Sequence, residues 1–353
     1  MKKKTVALLF GGVSSEHEVS CMSVSSVADN IDREKYDVVM LGISKKGEWF
    51  LYDGEIDTVR QNRWLSDTEH LKKAYICPDR SVHGIMVLKD GGWETRYVDV
   101  VYPVLHGKNG EDGTMQGLLE IAGIPYVGCD VLASAVCMDK DACHTILASA
   151  GVPQVKWLTY TEETPFEIAF EEVAETLGFP VFVKPANAGS SVGITKVKDG
   201  DGLEDAFKLA FANDRKIVVE AEVPDPIEVE CSVLGNLDTV TGEVGEVVPA
   251  DEFYSYDAKY YNAESKLYIP ARLSDELTAE IKETAKRAYR ILGCRGLARV
   301  DFLVERKTGK VILNEPNTLP GFTNISMYPK LLIAAGMTYP AIIDRLLELA
   351  MEK

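Results

Sequence analysis

The 353-residue chain has no long hydrophobic run, no Cys-x-x-Cys pair and no excess of basic residues. Each absence removes a class of function. No apolar stretch approaches the ~18–20 residues of a membrane-spanning helix, so a membrane is not expected as a partner. The seven cysteines, Cys21, Cys77, Cys129, Cys137, Cys143, Cys231 and Cys294, are odd in number and scattered. That spacing suits neither a disulfide framework nor a zinc site, and reads as buried thiols in a reducing cytoplasm. Lys and Arg total 38 against 55 Asp and Glu, a net charge of -17. A chain this acidic is a poor match for nucleic acid or an anionic membrane surface, although a local basic pocket can still take a polyphosphate. The Gly-x-x-x-x-Gly-Lys-Ser/Thr loop is missing too, as are internal repeats and low-complexity segments.

Hydrophobic residues make up 46% and charged residues 26%, ordinary values for a globular protein of two or three domains. Met1-Lys2-Lys3-Lys4 and the apolar run over 5–10 have the outline of a signal peptide. The run stops at Gly11-Gly12, short of the ~7–15 residues such a segment needs, and is read as a first strand. Further strands are expected over 38–43 and 98–105, and helices over 14–30 and 115–122. Strands alternating with helices, each strand ending in a glycine loop, predict a parallel open sheet with its ligand at the carboxyl ends of the strands. Glu16 and His106 lie just past two such ends. Residues 45–95 are irregular and polar. A second unit opens near Asp139, with a helix over 140–150 and strands over 180–184 and 217–220. A third holds strands over 228–234 and 244–249, a helix over 275–292, a hairpin, and an amphipathic helix over 339–352.

The hairpin is the most informative segment. Arg299-Val300-Asp301-Phe302 and Val311-Ile312-Leu313-Asn314-Glu315-Pro316-Asn317 flank a polar, glycine-containing turn. Alternation places Arg299 with Asp301, and Glu315 with Asn317. Asp301, Glu315 and Asn317 form a hard-oxygen set suited to magnesium; the alternative is an edge hairpin with solvated charges. Apolar flanks put these acids at the margin of a core, where charge needs a reason.

Other segments leave two readings open. Lys184 ends an apolar strand, either snorkelling to the surface or held against an anion. Gly189-Ser190-Ser191-Val192-Gly193 is either a phosphate-approaching loop or a surface turn. Glu220 and Glu228 flank a proline-rich turn and either bind a nucleotide or are solvated. The loop over 251–261 has five aromatics, as a lid would, or as a loop packed on its own domain would. Gly321 offers a backbone N–H to an oxyanion, or is a plain Pro-Gly turn.

Taken in order, these pieces resemble the D-alanine–D-alanine ligase family of the ATP-grasp superfamily. The carriers are Gly11-Gly12-Val13-Ser14-Ser15-Glu16-His17-Glu18-Val19-Ser20, His106-Gly107-Lys108-Asn109-Gly110-Glu111-Asp112-Gly113 and Met138-Asp139-Lys140. Val183-Lys184-Pro185 with the glycine loop, Tyr256-Asp257-Ala258-Lys259-Tyr260, Arg299-Val300-Asp301, and the run from Asn314 to Thr323 complete the set, which spans nearly the whole chain.

The resemblance implies an α/β ATP-grasp fold. Its units are an N-terminal parallel α/β domain over 1–138, a central subdomain over 139–230, and a C-terminal subdomain over 231–353 with a lid over 251–269. It implies ATP-dependent joining of two D-alanines through an acyl phosphate, for peptidoglycan precursors, in the cytoplasm. D-serine or D-lactate as second substrate is the alternative. ATP would be held by Lys140, Lys184, Ser191 and Lys259, with Glu220 and Glu228 on ribose or adenine. Two magnesium ions, with manganese as a substitute, would lie on Asp301, Glu315 and Asn317. Glu16 would pair with the first D-alanine's ammonium and join Ser190 and Tyr260 in a triad. Arg299 and Gly321 would stabilise the oxyanion, His106 would lie near the first substrate, and Ser326 and Met327 at the second. Tyr260 argues against D-lactate, whose ligases lose that tyrosine. The resemblance also implies a homodimer through the N-terminal domain.

Overall fold

The first apolar run forms strand β1 (Lys4–Gly11), and the N-terminal half is built around it. The computed structural model describes residues 2–248 and 266–352. Helix α1 (His17–Asn30) returns the chain to β2 (Tyr36–Ile43), parallel to β1. Next come β3 (Trp49–Tyr52), α2 (Ile56–Arg60), β4 (Leu71–Ile76), β5 (Gly84–Lys89), β6 (Gly92–Tyr97) and β7 (Val100–Pro103). The sheet order is β6-β5-β4-β3-β2-β1-β7.

The expected parallel sheet is thus only the β2-β1-β7 part, and the rest is antiparallel. The residues read as irregular over 45–95 supply that extension. Their strands are short, and β6 is almost wholly exposed, so its sequence carries no apolar stripe. The segment also supplies Trp64, fully buried between Phe10 at 4.9 Å and Phe50 and Tyr52 at 6.3 Å.

α3 (Thr114–Ala122), α4 (Val131–Met138) and α5 (Lys140–Ser149) lead to the second sheet. The side chains of Asp130 and Asp139 cap α4 and α5 by accepting the backbone N–H of Ala133 at 2.9 Å and of Ala142 at 3.1 Å. β8 (Trp157–Thr161), β9 (Val181–Pro185), β10 (Thr195–Val197) and β11 (Lys216–Ala221) run in the order β10-β9-β11-β8. Helices α6 (Phe166–Thr176) and α7 (Leu203–Phe211) bury Val173 and Phe207 against this antiparallel sheet.

The third sheet has the order β14-β13-β12-β15-β16. Its strands are β12 (Pro226–Leu234), β13 (Val240–Val248), β14 (Lys266–Tyr268), β15 (Leu297–Glu305) and β16 (Val311–Asn317). β12 runs through the expected 230/231 boundary and lies wholly in this sheet. Helix α8 (Asp275–Ile291) covers one face with Ile281, Ala285 and Tyr289. The last helices, α9 (Met327–Ala334) and α10 (Tyr339–Met351), turn back to the N-terminal sheet. Ile342, Ile343, Leu346 and Leu347 share one core with Val6, Leu8, Phe10 and Val24. The end of the chain therefore closes the face of its first strand.

Trp64→Ala is expected to cost about 3–5 kcal/mol, the price of a large aromatic cavity, measured by urea unfolding.

Candidate active site

Two cavities meet where the three sheets converge. A small polar one, about 90 Å³, is lined by Glu16, His106, Glu111, Ser190, Arg299 and Gly321. A larger one, about 530 Å³, lies between the second and third sheets, lined by Lys184, Ser191, Glu220, Glu228, Phe182 and Asp301 among others. Lys140 and Glu315 line both.

The small cavity begins at the end of β1. Gly11 and Gly12 have φ of +85° and +98°, and a Cβ on Gly11 would stand 2.2 Å from the Ile43 carbonyl oxygen. Only glycine makes this turn. It delivers Glu16 to the N-terminus of α1, rather than inside the helix expected from 14, where its backbone N–H donates to Ser14 Oγ at 3.0 Å. Ser190, on the loop after β9, donates to the Glu16 carboxylate. Ser190 and Ser191 both have left-handed backbones, with φ of +51° and +60°, strain of the kind concentrated at working sites.

His106 ties three segments together. Its Nδ1 donates to the Leu319 carbonyl at 3.0 Å, and its Nε2 lies 3.1 Å from Ser23 Oγ on α1. Ser23 Oγ also receives the Phe322 N–H at 3.3 Å. Burial pushes the His106 pKa below its ordinary 6.5, favouring the neutral ring that accepts from Ser23. This clamp sets the turn carrying Gly321.

In the hairpin, Arg299 stands opposite Asn317 and Asp301 opposite Glu315. The register then slips, Phe302 pairing with Leu313, so that Asn314 is an extra residue in β16. Pro316 is tolerated because β16 is the sheet edge. The Arg299 guanidinium makes two 2.7 Å bonds to the Asp301 carboxylate and lies 3.0 Å from Glu230. Asn317 Nδ2 donates to Asp301 at 3.0 Å. Lys140 Nζ donates to the Ala188 carbonyl at 2.8 Å and stands 3.9 Å from Glu315.

Glu220 is buried, with one oxygen 2.5 Å from Lys184 Nζ and the other 3.2 Å from His144 Nε2. Its carboxylate serves these partners while still lining the larger cavity, as do Glu228 and, in the turn between them, Glu222 and Asp225. Ser326 Oγ accepts from the Thr323 N–H at 3.0 Å beside Gly321. Met327 is turned away from the small cavity, buried with Val247 and Leu331. Lys259, Tyr260 and most of the lid lie outside the described residues.

Three site residues are missing from the sequence reading. Glu230 repeats Glu228 at a spacing of two on an apolar strand, a signal available but unused. His144 lies one helical turn past Lys140. Glu111 accepts the Gly107 N–H at 2.7 Å, and burial together with nearby Glu16 raises its pKa well above the ordinary carboxylate range.

Burial alone would raise the Glu220 pKa from its ordinary 4.5, but Lys184 and His144 bring it down to about 2. A lowered pKa means that its ionised form supports the fold above about 4.5, and that this support fades as pH falls towards about 2. Glu220→Gln is expected to be less stable than wild type at neutral pH. The gap should narrow through that window, as read by urea unfolding at stepped pH.

Comparison with known proteins gives a consistent result. A family model described as D-ala D-ala ligase N-terminus matches residues 5–129, and one described as D-ala D-ala ligase C-terminus matches residues 146–348. A D-alanine–D-alanine ligase of Caldicellulosiruptor bescii is 48% identical over 358 residues, covering 100% of this chain and 96% of the relative. One from a Thermoanaerobacter species is 49% identical, covering 100% and 98%. Among solved structures, the VanG D-Ala:D-Ser ligase from Enterococcus faecalis superposes with a TM-score of 0.91 at 41% identity, covering 99% of this chain and 100% of that one. The D-alanine–D-alanine ligase from Coxiella burnetii gives 0.86 at 34% identity, covering 99% and 94%.

Proposed function

The chain belongs to the D-alanine–D-alanine ligase family, and from that premise we propose how its residues divide the work of joining two D-alanines with ATP. The fold is ATP-grasp, and the product, D-alanyl-D-alanine, is a peptidoglycan precursor. The observation that carries the assignment of roles is the meeting of the two cavities at Lys140 and Glu315. A volume of about 530 Å³ is in the range for a nucleotide-sized ligand, and the small cavity suits an amino acid. The transferred phosphoryl group belongs at their junction.

The first D-alanine places its ammonium on Glu16, within reach of the Ser190 hydroxyl. Its carboxylate attacks the terminal phosphorus of ATP, giving an acyl phosphate and ADP. Phosphoryl transfer asks the protein chiefly for positioning and charge neutralisation. Lys140, Lys184, Ser191 and Lys259 take the phosphates, and Glu220 and Glu228, both on the wall of the larger cavity, take the ribose or adenine. The amine of the second D-alanine then attacks the acyl carbon, and inorganic phosphate leaves. Arg299 and the Gly321 N–H face the oxyanion, a contribution of about 3 kcal/mol per donor in other enzymes. Tyr260 completes the triad with Glu16 and Ser190. Ser326 takes the second substrate's carboxylate, and Met327 acts through the packing behind it.

Asp301, Glu315 and Asn317 stand on facing strands and offer two carboxylates and an amide oxygen, a donor set that fits magnesium or manganese. The metal would neutralise phosphate charge. Asp301 would then be shared between the metal and Arg299, whose guanidinium also lies 3.0 Å from Glu230. The three sheets support working units over 1–138, 139–230 and 231–353, with the second boundary better drawn before β12. A homodimer through the N-terminal domain and a cytoplasmic setting complete the reading. All seven cysteines are free and buried, and no helix among the described residues is long and apolar enough to cross a membrane.

A second reading, D-serine as second substrate, is favoured by one observation, the 0.91 superposition on a D-Ala:D-Ser ligase. With ATP, magnesium and equal D-alanine and D-serine, mass spectrometry of the product is expected to show mainly D-alanyl-D-alanine. A predominance of D-alanyl-D-serine would reassign the second site. Arg299→Met is expected to lower kcat by about 100-fold or more with the circular dichroism unchanged. A variant retaining near-normal kcat would remove Arg299 from the oxyanion role.

A further inference from the structure

His144 has no task in this scheme. It lies on α5 one turn beyond Lys140, 3% exposed and stacked on Trp157 with ring centres 4.8 Å apart. Its Nε2 is 3.2 Å from Glu220 Oε1 and its Nδ1 is 2.6 Å from Gln154 Oε1. The orientation of the Gln154 amide is set independently, because its Nε2 donates to the His144 backbone carbonyl at 3.0 Å. A carbonyl only accepts, so turning the amide round would set two acceptors face to face. Gln154 Oε1 must therefore accept from Nδ1. The Glu220 carboxylate, engaged by Lys184 at 2.5 Å, is also an acceptor only. Both ring nitrogens face acceptors, so both donate.

We propose that His144 is a positioning residue: as a buried imidazolium it clamps Glu220 from behind and so fixes Lys184 against the nucleotide cavity. A carboxylate held between two cations cannot swing without stranding one of them in a buried site, where an unpaired charge is costly. Lys184 Nζ thus has a fixed base from which to meet phosphate. The Lys184–Glu220–His144 chain, two cations to one anion, carries its net positive charge on the wall of a cavity whose other lining includes Glu222, Asp225, Glu228, Glu230, Asp301 and Glu315. The other nearby acid, Asp141, is committed elsewhere, to the Thr159 hydroxyl at 2.8 Å and Lys216 at 3.4 Å. Gln154 and the Trp157 ring hold the imidazole from its remaining sides.

The proposal rests on Lys184 as a phosphate-binding residue, and two measurements separate the parts. In the full protein labelled with ¹⁵N-histidine, both ring nitrogens of His144, assigned by their loss in His144→Gln, are expected to resonate as protonated at neutral pH. In steady-state assays His144→Ala is expected to raise KM for ATP about tenfold, the loss of one hydrogen bond to a charged group, with KM for D-alanine within about twofold. His144→Lys, which restores a cationic donor to Glu220, is expected to recover most of the loss. A neutral His144 ring overturns the proposal even if the variants fold poorly. So does an equal rise in both KM values without rescue. If His144 is an imidazolium but Lys184→Ala leaves KM for ATP unaltered, the phosphate role of Lys184 fails, and the positioning role falls with it.

Discussion

Arg299 lies with its guanidinium on Asp301 at 2.7 Å and within 3.0 Å of Glu230, where two cavities lined by acidic residues meet. Glu16, Glu111 and Glu315 line the small cavity and Glu230, Asp301 and Glu315 the larger one that meets it, and burying that much like charge is unfavourable without cations among it. Arg299, Lys140 and Lys184 supply them, each from a strand end or a helix start. The same demand explains why Glu111 is pushed towards its neutral form. In the function proposed here, a metal and a polyphosphate would exchange their charges for those of the site's own pairs.

The cations are useful only if their strands stay in register. The β15–β16 slip at Asn314 and the edge position of Pro316 keep Asp301 opposite Glu315. The His106 clamp joins α1, the end of β7 and the turn before Gly321. Helix α10, wedged against β1, holds the N-terminal sheet to the chain's far end. Glu16 and Arg299, nearly 300 positions apart, face one cavity because of these three devices.

Much of this was legible in the amino-acid order. Alternation on two short apolar strands was enough to pair Arg299 with Asp301 and Glu315 with Asn317, because the strand period leaves no other choice once the turn is placed. Glycines at 11 and 12 marked the turn that presents Glu16. The antiparallel extension over 49–97 was not legible. Its strands are short and β6 is exposed on nearly every residue, so the inside–outside pattern on which such a reading depends is absent. Nor was the inward turn of Met327, since a methionine at a helix start has no pattern to say which way it faces.

By itself the sequence determined most of the strand and helix elements bearing the site, the residue types proposed for its metal, phosphate and ammonium partners, and the family. These depend on local periodicity and on residues a few positions apart. The tertiary structure alone decided which acids are paired and with whom. Glu220 is bound by Lys184 and His144, Glu230 by Arg299, and Glu111 is left beside Glu16. The physical reason is that a buried carboxylate takes its character from whatever cation or N–H lies within about 3 Å, and those partners come from distant strands and helices.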